Sequence, residues 1–213
     1  MSDRDFDFEP QPGIPAPLPD GESILWQGKP QAGELAREAY KINWILGYMV
    51  VISLWRAGAA WADGGASLAL ATLLPYLALA AAGYGVVYFL AWVQARAAIY
   101  SITTARVILR IGAALPVTYT IPFTRIASAG LAERTSGSGT IAMELKGDQR
   151  IAYAVLWPHA RPGHLRHPQP AFRCIPEARQ VARLLADAAQ AKVNEPVVAL
   201  RSAQTVGLPL AAE

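Results

Sequence analysis

The three histidines of the chain lie close together, at His159, His164 and His167. A histidine ring nitrogen can ligate a metal ion or carry a proton near neutral pH, so such a cluster raises the question of a metal site. No aspartate, glutamate or cysteine lies inside the cluster, and prolines and arginines surround it. The pattern therefore favours a structural or solvent-facing loop, in which His159 is the best placed to matter, through a bond to the loop backbone.

Positive charge accumulates in and after this loop. Arg179 and Arg183 are four residues apart on a predicted helix, so they share one face and can act together. Two interpretations stay open: a surface that binds anionic headgroups or an acidic partner, and an ordinary solvated face. The arginines concerned are Arg161, Arg166, Arg173, Arg179 and Arg183. The candidate cytoplasmic surface consists of His159, Arg161, Arg179 and Arg183.

No other constellation in the sequence points to catalysis. The single cysteine, Cys174, excludes an internal disulfide, and we expect it to pack as a small apolar residue. There is no Ser-His-Asp or Cys-His pattern, no phosphate-binding glycine loop and no paired-carboxylate motif. The net charge is only +3 and the basic residues are scattered, which argues against nucleic-acid binding. The sequence predicts a protein that is not an enzyme and has no metal or cofactor of its own.

Two long apolar runs precede these residues and must position them. The runs give predicted spans at about 42–62 and 69–93, separated only by the short polar break Asp63-Gly64-Gly65-Ala66. A helix of about 20 apolar residues crosses the roughly 30 Å hydrocarbon layer of a membrane, and each run is long enough. The stretch 42–95 predicts a two-helix transmembrane hairpin, in preference to a buried hairpin in a soluble protein.

The flanking charges predict the direction of the hairpin. Arg37 and Lys41 precede the first span and Arg96 follows the second, whereas the break carries Asp63 and no lysine or arginine. Because positive charge is retained on the cytoplasmic side, both termini are expected in the cytoplasm and the break outside.

Two features of the spans suggest contact with other helices. Tyr84, Tyr88 and Trp92 recur every four residues and share one face, and Gly83 and Gly85 leave backbone open to close approach. Such a face suits the first span, a second copy or a client protein. Arg56, in the first span, is expected to snorkel to the headgroups or to pair with a polar group of another membrane protein.

The segments outside the spans are more polar. Residues 1–20 are acidic and proline-rich and predict a flexible tail, with docking of Phe6 and Phe8 on a partner as the alternative. Residues 21–41 form a juxtamembrane segment with a short strand or packed segment near Trp26 and a helix leading into the first span. Residues 194–213 predict a loosely ordered tail.

From Ala97 the apolar residues alternate with the period of a strand, in a predicted domain over residues 97–193. A loop follows the strands, and Pro176 then opens an amphipathic helix. The predicted strands are two around Thr103-Thr104-Ala105, and those at 116–122, 126–134, 139–147 and 149–157. The predicted fold class is an α+β membrane protein, with a transmembrane hairpin and an antiparallel β domain closed by a C-terminal helix.

These motifs resemble a known family. The hairpin followed by YSITTARVILRIG and IPFTRIASA is similar to bacterial pleckstrin-homology-like membrane proteins. More narrowly, GESILWQGKP, LWPHARP and PQPAFRCIP resemble the PuhB family, over roughly residues 5–193. LWPHARP followed by PQP is the most specific part, while TTAR is widely shared. The chain departs from the pattern at Gly163, His164 and His167.

The resemblance implies a non-catalytic assembly factor for the photosynthetic reaction centre and its core light-harvesting complex 1 in a phototrophic bacterium. It implies a location in the inner (intracytoplasmic) membrane, and reaction-centre and core-antenna subunits as partners beside membrane lipids, with a homodimer as a further option. Bacteriochlorophyll contact would come through a client and not through a pigment of this chain. The competing interpretation is a membrane-anchored pleckstrin-homology-like module for anionic lipid binding or envelope sensing.

Overall fold

The computed structural model describes residues 12–147 and 151–194. Expectations for the tail up to residue 11, for residues 148–150 and for the tail from residue 195 lie outside the described residues.

The first sheet has four antiparallel strands in the order β1-β2-β3-β4. These are β1 (Ile24–Gly28), β2 (Ile99–Thr103), β3 (Arg106–Ile111) and β4 (Val117–Pro122). Strands β2, β3 and β4 were predicted from the alternation of apolar residues, whereas β1 was predicted as a strand or a packed segment. The β2–β3 turn is closed by the Thr103 hydroxyl, which accepts the Arg106 N–H at 3.0 Å, so TTAR here is turn chemistry. The juxtamembrane segment supplies β1 and therefore belongs to the sheet.

The second sheet has three antiparallel strands in the order β5-β6-β7. These are β5 (Ile126–Glu133), β6 (Gly139–Leu145) and β7 (Ala171–Ile175). The strand predicted at 149–157 is wrong, because Tyr153–Leu156 forms a short helix, α3. Its apolar residues run without a break, so a strand and a helical turn could not be told apart. The strand β7 was missed inside the predicted loop, because all of its residues are buried and show no alternation.

The C-terminal helix α4 (Ala178–Asn194) covers the core between the strands. It buries Val181, Leu185 and Ala188 on one face, as predicted. It begins two residues after Pro176. Trp26, Tyr100 and Phe172 stack in the core and join the two sheets, with ring centroids 4.8 Å apart for Tyr100 and Phe172.

The apolar segment lies between β1 and β2. A short helix, α1 (Ala32–Glu38), leads into the long helix α2 (Ile42–Ala97). Among the described residues, α2 alone is long and apolar enough to cross a membrane, by length and composition. Its helical geometry breaks at Gly64 and Gly65, and Gly65 has a φ of 69°, a conformation that favours glycine.

The two ends of α2 lie close to each other. Ile42, at its start, and Ala91, near its end, share one buried cluster with Ala36 of α1. A straight helix of this length would place its ends roughly 80 Å apart at 1.5 Å per residue. The segment therefore leaves the strand domain and returns to it.

Candidate functional site

The candidate site is the junction at which α1 and the C-terminal end of α2 meet β7. Leu35 of α1, Ala95 of α2 and Cys174 of β7 form one buried cluster. The Gln31 N–H donates to the Cys174 carbonyl at 2.8 Å, so the start of α1 is fixed to the strand. Because α1 runs directly into α2, this contact sets the direction in which the apolar segment leaves the domain.

Glu38 is the central charge of the junction. One oxygen of its carboxylate accepts a bond from Arg173 Nη2 at 2.9 Å, and the other accepts a bond from Arg134 at 2.5 Å. Arg134 also binds Glu34 at 3.1 Å. Arg134 directly follows β5 and Arg173 lies in β7, so the carboxylates of α1 are bound by arginines from the two strands that flank β6.

Burial alone would raise the pKa of Glu38. The hydrogen bond and positive charge of Arg173, with smaller contributions from Cys174 and Arg134, outweigh burial and leave the pKa lowered from its ordinary value of 4.5. Glu38 is therefore ionised at neutral pH and completes an ion pair with Arg173, whose side chain is 4% exposed.

Arg173 also holds the loop that contains His159. Its Nη1 donates to the carbonyls of Pro158 and Ala160, at 3.2 and 3.5 Å. A single buried guanidinium thus connects α1 to the residues on either side of His159.

His159 does not lie on the surface where we expected it. Its side chain is fully buried, with Nδ1 2.5 Å from the Tyr100 hydroxyl. The Tyr100 oxygen also accepts the Arg173 N–H at 3.4 Å, so the phenol proton is assigned to the bond with Nδ1. The expectation of a surface position is wrong because the loop backbone is fixed by its own bonds, among them Ala171 N–H to the His159 carbonyl at 2.9 Å, and the ring turns inward.

Both members of this pair are uncharged in the folded protein. Burial, followed by the positive charge of Arg173, lowers the pKa of His159 to about 3, and burial raises the pKa of Tyr100 far above its ordinary value. A neutral, buried pair of this kind fits a structural connection rather than proton transfer at physiological pH.

Cys174 packs as expected, as a small buried residue. Burial, followed by the negative charge of Glu38, raises the pKa of its thiol to about 12, so the sulfur stays protonated. No group of His, Cys, Asp and Glu residues that could hold a metal ion occurs within residues 12–147 and 151–194.

The candidate arginines of the cytoplasmic surface are all exposed. Arg161 donates to the Gln169 side-chain oxygen at 2.9 Å, and Arg179 pairs with Glu133 at 2.6 Å. Arg183 lies on the exposed side of α4. Their role as a binding surface stays a prediction.

The predicted contact face of α2 is not covered by the chain itself. Tyr84 and Tyr88 are about 40% exposed and stack with centroids 6.5 Å apart, and Trp92 is 40% exposed beneath the guanidinium of Arg96. A Cβ atom added at Gly83 or Gly85 would meet nothing within 4 Å. Arg56 is exposed as well. The positions that α2 does bury are others, namely Ile42, Ser53, Ala69, Ala80, Ala91 and Ala95.

Sequence reasoning missed Glu38, Arg134 and Tyr100 as members of the site. Glu38 and Arg134 are separated by 96 positions, and Tyr100 and His159 by 59. The one available signal was an acidic residue in a short helix just before an apolar run, and that does not identify its partner.

Replacing Glu38 tests the ion pair at the junction. Glu38→Gln removes the charge that balances Arg173, and we expect the free energy of unfolding to fall by about 3 kcal/mol, because the guanidinium stays buried without a counter-charge. The matched change Glu133→Gln breaks the exposed pair with Arg179 and should cost no more than about 1 kcal/mol. Near-UV circular dichroism of the full-length chain during unfolding in detergent measures both. Equal effects of the two changes would contradict the proposed importance of Glu38.

Acid should reveal the neutral state of His159. The folded pKa lies below the ordinary value of 6.5, so the stabilisation is complete above that pH and is lost as the pH falls towards 3. We expect protonation of His159 to lower the free energy of unfolding of the wild type by about 1 kcal/mol per pH unit below pH 6. His159→Gln should lack that component, while the exposed His167→Gln should retain it. The measurement is the free energy of unfolding between pH 7 and pH 5. Equal slopes of this free energy against pH in the wild type and in His159→Gln would contradict burial of a neutral ring.

Comparison with known proteins identifies the family of this chain. The model of the bacterial PH domain family matches residues 44–189. A Rhodobacter capsulatus protein, described as a 23.7 kDa protein in the puhA 5′ region, is 62% identical over 200 residues, which cover 93% of this chain and 94% of that protein. A crystal structure of a Shewanella loihica protein with a pleckstrin-homology domain aligns with 43% of this chain and 71% of its own, at 10% identity and a TM-score of 0.29. From the extent of the family match and of the Rhodobacter relative, this chain belongs to the family of bacterial PH-domain proteins.

Proposed function

We propose that this protein is a non-catalytic, membrane-anchored assembly factor for the photosynthetic reaction centre and its core light-harvesting complex in a phototrophic bacterium. The observation that carries the proposal is the 62% identity to a protein of the puhA 5′ region, whose gene position associates that relative with photosynthesis. The resemblance of LWPHARP and PQPAFRCIP to the PuhB family supports the more specific role in assembly.

The pairing of β1 with β2 supports a hairpin with two membrane spans. Gly28, before the apolar segment, is the register partner of Tyr100, after it. Both ends of the segment are therefore on the same side of any membrane that it crosses, and the number of crossings must be even. Two crossings fit the length of α2 and the glycine break at its middle. The cations at both ends of α2 favour the cytoplasmic side for the strand domain.

The junction supports a scaffold role rather than catalysis. Its buried titratable side chains are either paired, as Glu38 and Arg173 are, or neutral, as Tyr100 and His159 are. The spans would offer their uncovered face to a client helix, while the strand domain, fixed by α1, would meet the cytoplasmic surface of the same client. We place the client contact at Gly83, Tyr84, Gly85, Tyr88 and Trp92, with Arg56 on the first span.

Changes on the uncovered face of α2 test the client contact. Gly83→Val combined with Tyr84→Ala alters the face without an internal clash, because a Cβ at Gly83 meets nothing within 4 Å. We expect a severalfold loss of reaction-centre absorbance in membranes of phototrophically grown cells, at an unchanged level of this protein. The matched control is Gly58→Val with Trp55→Ala, also at an open glycine and an exposed aromatic residue, and should leave the absorbance unchanged.

Normal reaction-centre accumulation in the Gly83 and Tyr84 variant would contradict the proposed contact. Affinity purification of the wild type in a gentle detergent distinguishes an assembly factor from a lipid- or envelope-sensing module. Reaction-centre or core-antenna subunits in the eluate support assembly, and an eluate of this chain and lipid alone after crosslinking would favour a lipid- or envelope-sensing module.

A further inference from the structure

A cleft of about 460 Å³ opens at the junction. Its floor is the outer face of β5 and β6, and its walls include Lys41 between α1 and α2, and Arg161 with Pro162 in the loop after α3. The floor is made of the cross-strand pairs Gly130–Ala142 and Ala132–Thr140. These side chains are small, so the cleft has room for a compact group above a flat surface.

The cleft carries more positive than negative charge. Four cations line it, and its carboxylates are already used, since Glu133 pairs with Arg179 and Glu38 with Arg134 and Arg173. Lys41 and Arg161 have no carboxylate within salt-bridge distance in the described parts of the chain. Among the described residues, the partner of the Arg161 guanidinium is the uncharged side-chain oxygen of Gln169. Two positive charges are therefore left for a ligand. The lining cations are Lys41, Arg134, Arg161 and Arg173.

The cleft also contains a hydrogen-bond donor without an acceptor. Arg173 is 3% exposed and lines the cleft, and its Nε–H has no partner in residues 12–147 and 151–194. Its terminal nitrogens are bound to Glu38 and to loop carbonyls. A buried N–H without an acceptor is costly, and an anionic oxygen entering the cleft would satisfy it.

The position of Lys41 indicates where the anion comes from. Lys41 immediately precedes Ile42, the first residue of the apolar helix, so the cleft lies where the chain would enter the membrane surface. We infer that the cleft binds the phosphate headgroup of an anionic membrane lipid, with Lys41 and Arg161 balancing its charge and Arg173 donating from below. The inference rests on the proposed membrane attachment and is independent of the assembly role.

Lipid titration of the purified full-length chain, followed by native mass spectrometry, tests this. Phosphatidylglycerol should bind more tightly than phosphatidylcholine, because choline adds a cation beside Lys41 and Arg161. Lys41→Gln with Arg161→Gln should weaken phosphatidylglycerol binding by about thirtyfold, since each cation near an anionic headgroup is worth roughly a fivefold factor. The matched control Lys29→Gln with Lys146→Gln removes two positive charges from exposed positions outside the cleft and should bind as the wild type does.

A second variant keeps the charge and blocks the space. Gly130→Leu places a side chain over the floor, where a Cβ meets nothing within 4 Å, and should reduce binding while the protein stays folded. Inorganic phosphate in a parallel titration separates the two sources of phosphate, and we expect lipid adducts at concentrations where phosphate gives none. Phosphate adducts without lipid adducts, unchanged lipid binding in the cleft variants, or loss of lipid binding in the control with Lys29 and Lys146 replaced would each overturn the assignment. Because no reaction centre is present, the result is separate from the test of assembly.

Discussion

The pairing of β1 with β2 across the apolar segment is the constraint on which the rest of the structure depends. Trp26, Gln27 and Gly28 pair with residues 100–102, so the first strand is completed only after the whole segment has folded back. Loop-closure entropy grows slowly with length, which makes so long an insertion tolerable. Trp26 then contacts Phe172 of the second sheet, and the entry and exit of the apolar segment are thereby tied to the core of the strand domain.

The buried ion pair of Arg173 and Glu38 also ties the apolar segment to the strand domain. Arg173 reaches Glu38 of α1 on one side and the loop around His159 on the other, while its backbone N–H donates to Tyr100 of β2. Ion pairs of this kind add little net stability compared with apolar packing, but a missing partner is costly. We infer that the network fixes one docking position of α1, and so one exit direction for the membrane segment. A fixed direction is what a protein needs if its spans and its strand domain are to meet one client together.

Local patterns predicted most of the fold, and long-range contacts account for what they missed. Alternation predicted β2, β3 and β4 of the first sheet. The segment near Trp26 was predicted as a strand or a packed segment, and its pairing with β2 could not be inferred from the sequence. Helix α3 was predicted as a strand and strand β7 as part of a loop, because neither segment has a distinctive period. The inward position of His159 depends on Tyr100, which lies far away in sequence, and the pair of Glu38 with Arg173 likewise joins distant elements. That Tyr84, Tyr88 and Trp92 share one face of α2 could be predicted from the sequence, because helical spacing alone defines such a face.

Accessibility of single cysteines on the two sides of the membrane tests the central claim, that one hairpin places the strand domain in the cytoplasm and its turn outside. With Cys174→Ala as background, the two probes are Asp63→Cys at the glycine break and Leu115→Cys in an exposed loop of the domain. A membrane-impermeant maleimide added to spheroplasts should label Asp63→Cys at once and Leu115→Cys only after lysis. Labelling of both positions before lysis, or of neither, would contradict the two-span hairpin.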